Sequence, residues 1–247
     1  MFVRGVYSQG GCKMDLYYDK GLIGPLGSAI NPVDTTRTLY KSTEFASPLR
    51  STIPLLSLLK HQPALLQAVL AQMAISDPCN LHLEYTVAPP QGKGIPSHTD
   101  LFITSGDTSL AIEAKWTEPR YDTVEKWLSQ GTNQNNRIDV ANGWLGLLGR
   151  ATRIQLRLDD FSEAIYQMLH RAASACSTGS KPRLAYMVFE APANAQTASV
   201  STIKADLAHL RNLLGNPCAF PFYLIEVPLA FTAAFSRVSG LPKGSTA

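Results

Sequence analysis

Two short apolar runs separated by a turn stand out near the middle of the chain. Leu101, Phe102 and Ile103 lead through Gly106 and Asp107 to Leu110, Ala111 and Ile112. Runs of this length joined by glycine and aspartate predict a β-hairpin. Just upstream, Leu81, Leu83, Tyr85 and Val87 alternate with His82, Glu84 and Thr86, the period of a strand with one apolar and one polar face. Residues 184–189 and 220–227 read as two more strands, and Pro221 limits the last to a sheet edge or to its opening residue.

Other stretches carry helical spacing. Ser51-Thr52 followed by Pro54 resembles a cap with proline in the first turn, and Leu55, Leu56, Leu58 and Leu59 follow it. Pro63 restarts the pattern, which continues through Leu65, Leu66, Val69, Leu70 and Met73. Residues 122–130 read as a short helix and residues 131–143, rich in Asn, Gln and Gly, as a loop. Residues 144–157 then form a helix bearing Arg150, Arg153 and Arg157. Residues 160–176 place Phe161, Ala164, Ile165, Met168, Leu169 and Ala172 on one stripe. Residues 201–214 are amphipathic and end at Gly215 and Pro217.

Three strands, a helix, a strand, a helix and a strand define an α/β fold, a central mixed sheet flanked by helices. The expected division is an irregular N-terminal extension over 1–40, a single domain over 41–235 and a flexible tail over 236–247. Within the extension only residues 2–7 suggest a strand. Residues 88–98 hold three prolines, two glycines and Lys93, and are expected to form a mobile loop beside the site.

Composition narrows the class. Hydrophobic residues make up 45% and charged residues 17%, enough for a sizeable core and unlike a disordered chain. A net charge of +3 is compatible with a nucleic-acid partner without arguing for one. Cys12, Cys79, Cys176 and Cys218 are far apart and form no CxxC pair, so neither a zinc site nor a disulfide framework is expected. No apolar run follows Arg4 and no window approaches a membrane span, so a cytoplasmic location is expected.

The hairpin carries the candidate chemistry. Glu113 and Lys115 are two apart and share a face of their strand, and pairing across the turn sets Asp100 beside them. Two carboxylates and one ammonium then converge, a set that suits Mg²⁺ with its preference for hard oxygen ligands. Glu44 and Glu84 are candidates for an additional carboxylate. Arg120 and Tyr121, just beyond the hairpin, combine a cation with a flat ring, as phosphate and base contacts require. Arg153 and Arg157, one helical turn apart, would present two cations to phosphates, and Gln167 is the polar residue that the helix over 160–176 would lend to a cleft.

Asp100 followed by Glu113-Ala114-Lys115 is similar to the PD-(D/E)XK signature of restriction-endonuclease-like nucleases, with Thr99 where the family pattern has proline and Pro96 the nearest one. The resemblance covers roughly residues 40–227. It implies a restriction-endonuclease-like fold and a metal-dependent phosphodiesterase. Asp100, Glu113 and the Ala114 carbonyl would hold Mg²⁺, or Mn²⁺ as substitute, and Lys115 would be the catalytic lysine. An acidic residue from an N-terminal helix, here Glu44, often joins such a site. The implied partner is nucleic acid, DNA foremost, and a homodimer is one means of cutting both strands. Defence against foreign DNA is the setting suggested by analogy. The competing expectation is a catalytically retired nucleic-acid- or protein-binding module on the same fold. A hydrolase of small phosphate compounds is disfavoured, because no nucleotide-cradling glycine loop is present.

Overall fold

The structure is a computed structural model that describes residues 14–45, 50–75, 78–130, 132–190 and 198–228. It is a mixed α/β protein. Seven strands form one sheet: β1 (Met14–Tyr18), β2 (Gly21–Pro25), β3 (Cys79–Val87), β4 (Ser97–Ser105), β5 (Thr108–Lys115), β6 (Lys181–Phe189) and β7 (Phe222–Val227), in the spatial order β2-β1-β3-β4-β5-β6-β7. β3, β4 and β5 form the antiparallel meander, with Gly106 in the left-handed region (φ 55°) at the expected turn. β6 and β7 then run parallel to their neighbours, which requires crossover connections.

Helices supply the crossovers and cover both faces. On one face lie α1 (Pro32–Thr36), α2 (Thr52–His61) and α3 (Pro63–Gln72); Val33 of α1 and the leucines of α2 and α3 share a core with Leu81, Leu83, Leu101, Ile103 and Ile112. On the other lie α4 (Val124–Ser129), α5 (Gln134–Thr152), α6 (Tyr166–Ala175) and α7 (Val200–Leu213), packed on Phe102, Ala111, Leu184, Tyr186 and Val188. Glu118 couples the layers, because its carboxylate accepts from the backbone N–H of Trp116 (2.7 Å), at the exit of β5, and of Ser51 (2.8 Å), at the start of α2.

Several expectations are corrected. Residues 14–36 are not irregular; they contribute β1, β2 and α1. The expected strand over 2–7 and the tail over 236–247 lie outside the described residues. Residues 134–143 are not a loop but the first half of α5, begun by the Asn133 side chain, which accepts from the N–H of Asn136. The polar composition that suggested a loop is the solvent face of this helix. Its end also differs: Arg153 takes a left-handed conformation (φ 59°) and closes the helix, so Arg153 and Arg157 do not share a helical face. Nor does the connector over 88–96 hang free. Asn136 accepts from Lys93 N–H and donates to Lys93 O, both at 2.6 Å. Gly92 (φ +72°) also approaches α5 so closely that an added Cβ would fall 2.7 Å from Val140.

The most consequential irregularity lies in β3. Glu84 has φ 52°, a left-handed conformation that costs an L-residue roughly 1–2 kcal/mol. The alternation of faces breaks there: Leu81 and Leu83 point to the α1–α3 side, whereas Tyr85 and Val87 pack on the opposite side. The expectation of one continuous apolar face along 81–87 is therefore wrong. Asp19, at the tip of the β1–β2 hairpin, brackets the break. Its N–H donates to Leu83 O at 2.7 Å, and its carboxylate accepts from Thr86 N–H and Oγ1 at 2.8 and 2.7 Å. Asp19→Ala removes the acceptor for a partly buried N–H, and we expect a loss of about 1–3 kcal/mol in urea unfolding; an unchanged midpoint would refute the bracket.

Candidate functional site

The site forms where two strands part. β4 pairs with β5 only as far as Leu101↔Ile112, while β5 continues to Lys115 alongside β6. In the resulting fork an Asp100 carboxylate oxygen accepts the Ala114 N–H at 2.8 Å. The N–H and C=O of one residue leave an extended strand on the same side, so the Ala114 carbonyl also faces the fork. On the other flank, the pairs Leu83↔Leu101 and Tyr85↔Thr99 bring Glu84 opposite Asp100. That pair is missing from the ladder at the kink, yet Glu84 remains near enough to raise the Asp100 carboxyl.

Glu113 is deeply buried and takes a cation at each oxygen. Lys115 Nζ donates to Oε1 at 3.1 Å, and Arg171 Nε, from α6, donates to Oε2. Arg171 continues the network: its Nη1 donates to Ser97 Oγ at 2.6 Å, and Ser97 also contacts Ser174 Oγ and His170 Nδ1, each at 2.9 Å. Arg171 Nη1 lies 3.3 Å from the same His170 nitrogen. Arginine can only donate, so Nδ1 is an acceptor and the neutral ring carries its proton on Nε2. Burial, followed by Arg171 and Lys115, pushes this imidazole well below its ordinary value.

Charge is distributed unevenly. Burial opposes ionisation of Glu113, yet Arg171 and then Lys115 hold its carboxyl below the usual range. Burial likewise opposes the Lys115 charge, but Glu113, then Tyr121 and Asp100, hold the ammonium above its ordinary value. Burial, then repulsion from Glu113 and Glu84, drives the Asp100 carboxyl well above its range. Burial and the neighbouring Glu44 push Glu84 up to about 7. The cations serve Glu113; Asp100 and Glu84 are left short of countercharge.

The other expected residues fall into place around this core. Glu44 lies in a 3-10 turn (Ser42–Phe45), near enough to act on Glu84, and is held by Arg50 (3.1 Å) and Thr52 (3.0 Å). The Tyr121 ring covers Lys115 Nζ at 4.2 Å from its centroid, and Gln167 joins both in lining a small recess. Arg120 forms a two-pronged pair with Asp206 at 2.9 and 2.8 Å, which occupies the fork expected for phosphate. Arg153 and Arg157 lie at and beyond the far end of α5, and Arg157 is paired loosely with Asp159. Sequence reasoning missed Arg171, His170 and Ser97 as site residues. The available signal was an arginine among Met168, Leu169, Ala172 and Ala173, on a helix face too apolar for a solvated charge.

Whether these residues suit a divalent ion follows from the donors. Among the described residues no three Asp, Glu, His or Cys side chains form a ready metal cage. Mg²⁺ commonly needs only one or two carboxylates, completed by water and substrate. Asp100, Glu84 and the Ala114 carbonyl meet that requirement. The buried Tyr40 hydroxyl, near enough to Glu84 and Asp100 to feel both, finds no hydrogen-bond partner among the described residues. Glu113 can join only by exchanging a cation it already holds.

Residues 29–219 match the family described as Domain of unknown function (DUF6946), and the chain belongs to that family. The matched stretch contains every site residue named above, from Tyr40 to Arg171, and leaves out β1, β2 and β7. Neither a curated protein nor a solved structure matches the chain.

Arg171→Met leaves Glu113 with one buried partner, and we expect it to lower stability by about 3–5 kcal/mol in urea unfolding; a loss below 1 kcal/mol would contradict the buried pairing. A pH series tests the acidic pair in metal-free protein. Glu84 titrates near 7 when folded and near 4.5 when exposed, so the folded state retains a proton that the unfolded chain releases between those values. The stability from this group is complete below pH 4.5 and is lost as pH rises through 7. Glu84→Gln should flatten that slope, and an identical slope in both proteins would refute the assignment.

Proposed function

We propose that this protein is a metal-dependent nuclease, a phosphodiesterase that acts on nucleic acid, DNA foremost. The observation that carries this reading is the fork: Asp100, with Glu84 near enough to raise it, and Glu84 itself both have raised carboxyl pKa values, beside a lysine held charged. Carboxyls short of countercharge suit a divalent cation, and such a cation with a fixed ammonium would offset the charge that builds on a phosphodiester during hydrolysis. The order β3, β4, β5, α6, β6 supports the same reading, because it is the order implied by the restriction-endonuclease-like resemblance.

Mg²⁺, with Mn²⁺ as substitute, would be held by Asp100, the Ala114 carbonyl and Glu84; when bound it polarises a phosphoryl oxygen and lowers the pKa of a water. The chain's own residues do the rest. Lys115, kept protonated by Glu113, acts as a charge donor to the phosphoryl oxygens and orients the attacking water; it does not serve as a general base. Tyr121 shields that ammonium from bulk water and strengthens its field. Glu113 is the positioning residue that fixes Lys115, and Arg171 fixes Glu113. Asp100, tied to Ala114 N–H, keeps one carboxylate edge toward the gap.

One observation favours a second reading, the retired binding module. The Arg171 guanidinium already neutralises Glu113, a task that an ion could perform in an active enzyme. Incubation with plasmid, linear duplex, single strands and RNA, each with Mg²⁺, Mn²⁺ or EDTA, separates the two. Nuclease activity should require the ion and should fall about 10²–10³-fold in Asp100→Asn and Lys115→Met proteins. Cleavage that survives EDTA, or that persists in both variants, would rule the proposal out; nucleic-acid binding with no cleavage would select the second reading.

A further inference from the structure

A cavity of about 350 Å³ opens beside the fork, between the Lys93–Ser97 segment and helices α4, α5 and α6. Its size is at the low end of the range for small-molecule sites, about 300–1,000 Å³. Three flat aromatic side chains line it: Trp127, Trp144 and Tyr166. Trp127 and Tyr166 stack with centroids 3.7 Å apart, and the Arg137 guanidinium lies 4.6 Å over the Trp127 ring. Arg137 is further held by a hydrogen bond to Trp127 O. Lys93 supplies a second cation, and among the described residues no acidic side chain lines the cavity. Its walls are built before any ligand arrives, because the reciprocal Asn136–Lys93 bonds and the close approach of Gly92 seat the connector on α5.

The chemistry of this lining is selective. Aromatic rings and a planar guanidinium favour a flat ring system, since stacking on such surfaces tolerates any base. Two cations without a compensating carboxylate favour an anion attached to that ring. Ser97 and His170, which also line the cavity, add polar atoms for the edge of a heteroaromatic ring. The same two residues lead through Arg171 to Glu113, so the cavity and the fork share one hydrogen-bonded wall.

The geometry points to a nucleotide site: the base enters among Trp127, Trp144 and Tyr166, and its phosphate remains at the rim with Arg137 and Lys93. This rests on the nucleic-acid reading above, and it makes the preferred substrate a strand with an unpaired or extruded base. Extrusion costs least in single-stranded or mismatched substrate, so the site favours those forms over intact duplex. A free mononucleotide carries the same base and phosphate, and the test separates the two sources.

Two of the three tryptophans line the cavity, so intrinsic fluorescence reports on it directly. The full chain, in EDTA, is titrated with adenosine and thymidine 5′-monophosphates, with single-stranded 12-mers and with inorganic phosphate. Saturable quenching is expected with nucleotides and oligonucleotides and not with phosphate. Trp127→Leu should weaken binding about tenfold. Lys93→Ala, at the rim, should weaken it severalfold while leaving the melting temperature within about a degree, and Arg137→Gln should weaken it severalfold with some loss of melting temperature, because its bond to Trp127 O goes too. Tighter binding of the 12-mer than of the mononucleotide supports the strand as source, and equal affinity supports the site with free nucleotide as its ligand. No saturable quenching, or quenching unchanged in all three variants, overturns the proposal. Because metal is absent throughout, a protein that binds nucleotide without cutting preserves this inference, and one that cuts without binding here refutes it alone.

Discussion

The account depends on a constraint of charge in a confined space. Four ionisable side chains, Asp100, Glu84, Glu113 and Lys115, meet at a split in the sheet, and a fifth, Arg171, reaches them from α6. Both cations are committed to Glu113. The two carboxyls left over lie where the kink in β3 interrupts the β3–β4 ladder, and burial with neighbouring carboxylates raises both, an unfavourable arrangement. A fold selected for stability alone would have no use for it, especially when one of the two sits on a residue held in the left-handed region. Backbone strain and strongly shifted carboxyls in one place are the usual marks of a functional position.

The surrounding structure explains how such a rung persists. Asp19 grips β3 on either side of Glu84, so the backbone break does not spread into the flanking strand pairs. The Asp100 carboxylate takes over the N–H that β5 loses when β4 turns away. On both faces the sheet is sealed by helices whose side chains are buried. Local conflict is tolerated because it is enclosed by elements with no conflict of their own. The Ser97–His170–Arg171 network then ties the wall of the aromatic cavity to Glu113 and, through it, to Lys115.

Much of the arrangement was legible in the sequence, for identifiable reasons. Regular patterns declared themselves: the hairpin through its glycine–aspartate turn, α2 and α3 through leucine spacing, and Asp100, Glu113 and Lys115 through their position on apolar strands. What escaped notice was set by tertiary contact. The fault in β3 is invisible in an alternating run, because only the Asp19 contacts and the conformation of Glu84 reverse its second half. The first half of α5 escaped because its Asn- and Gln-rich solvent face has the composition of a loop, while its buried side is marked only by Val140, Ala141 and Gly143. Arg171 was passed over because a helix-period reading assigns arginines to solvent by default. The pairing of Arg120 with Asp206 joins residues too far apart in the chain for any local pattern to relate them.

Asp100 and Glu84, the carboxyls left short of countercharge, are proposed to take a hard divalent cation. Isothermal calorimetry with Mn²⁺ on wild-type, Asp100→Asn and Glu84→Gln proteins at neutral pH measures this most directly. The account predicts one saturable site in the wild type, abolished by the first substitution and weakened at least about tenfold by the second. Absence of binding to the wild type, or equal affinity in all three proteins, would contradict it.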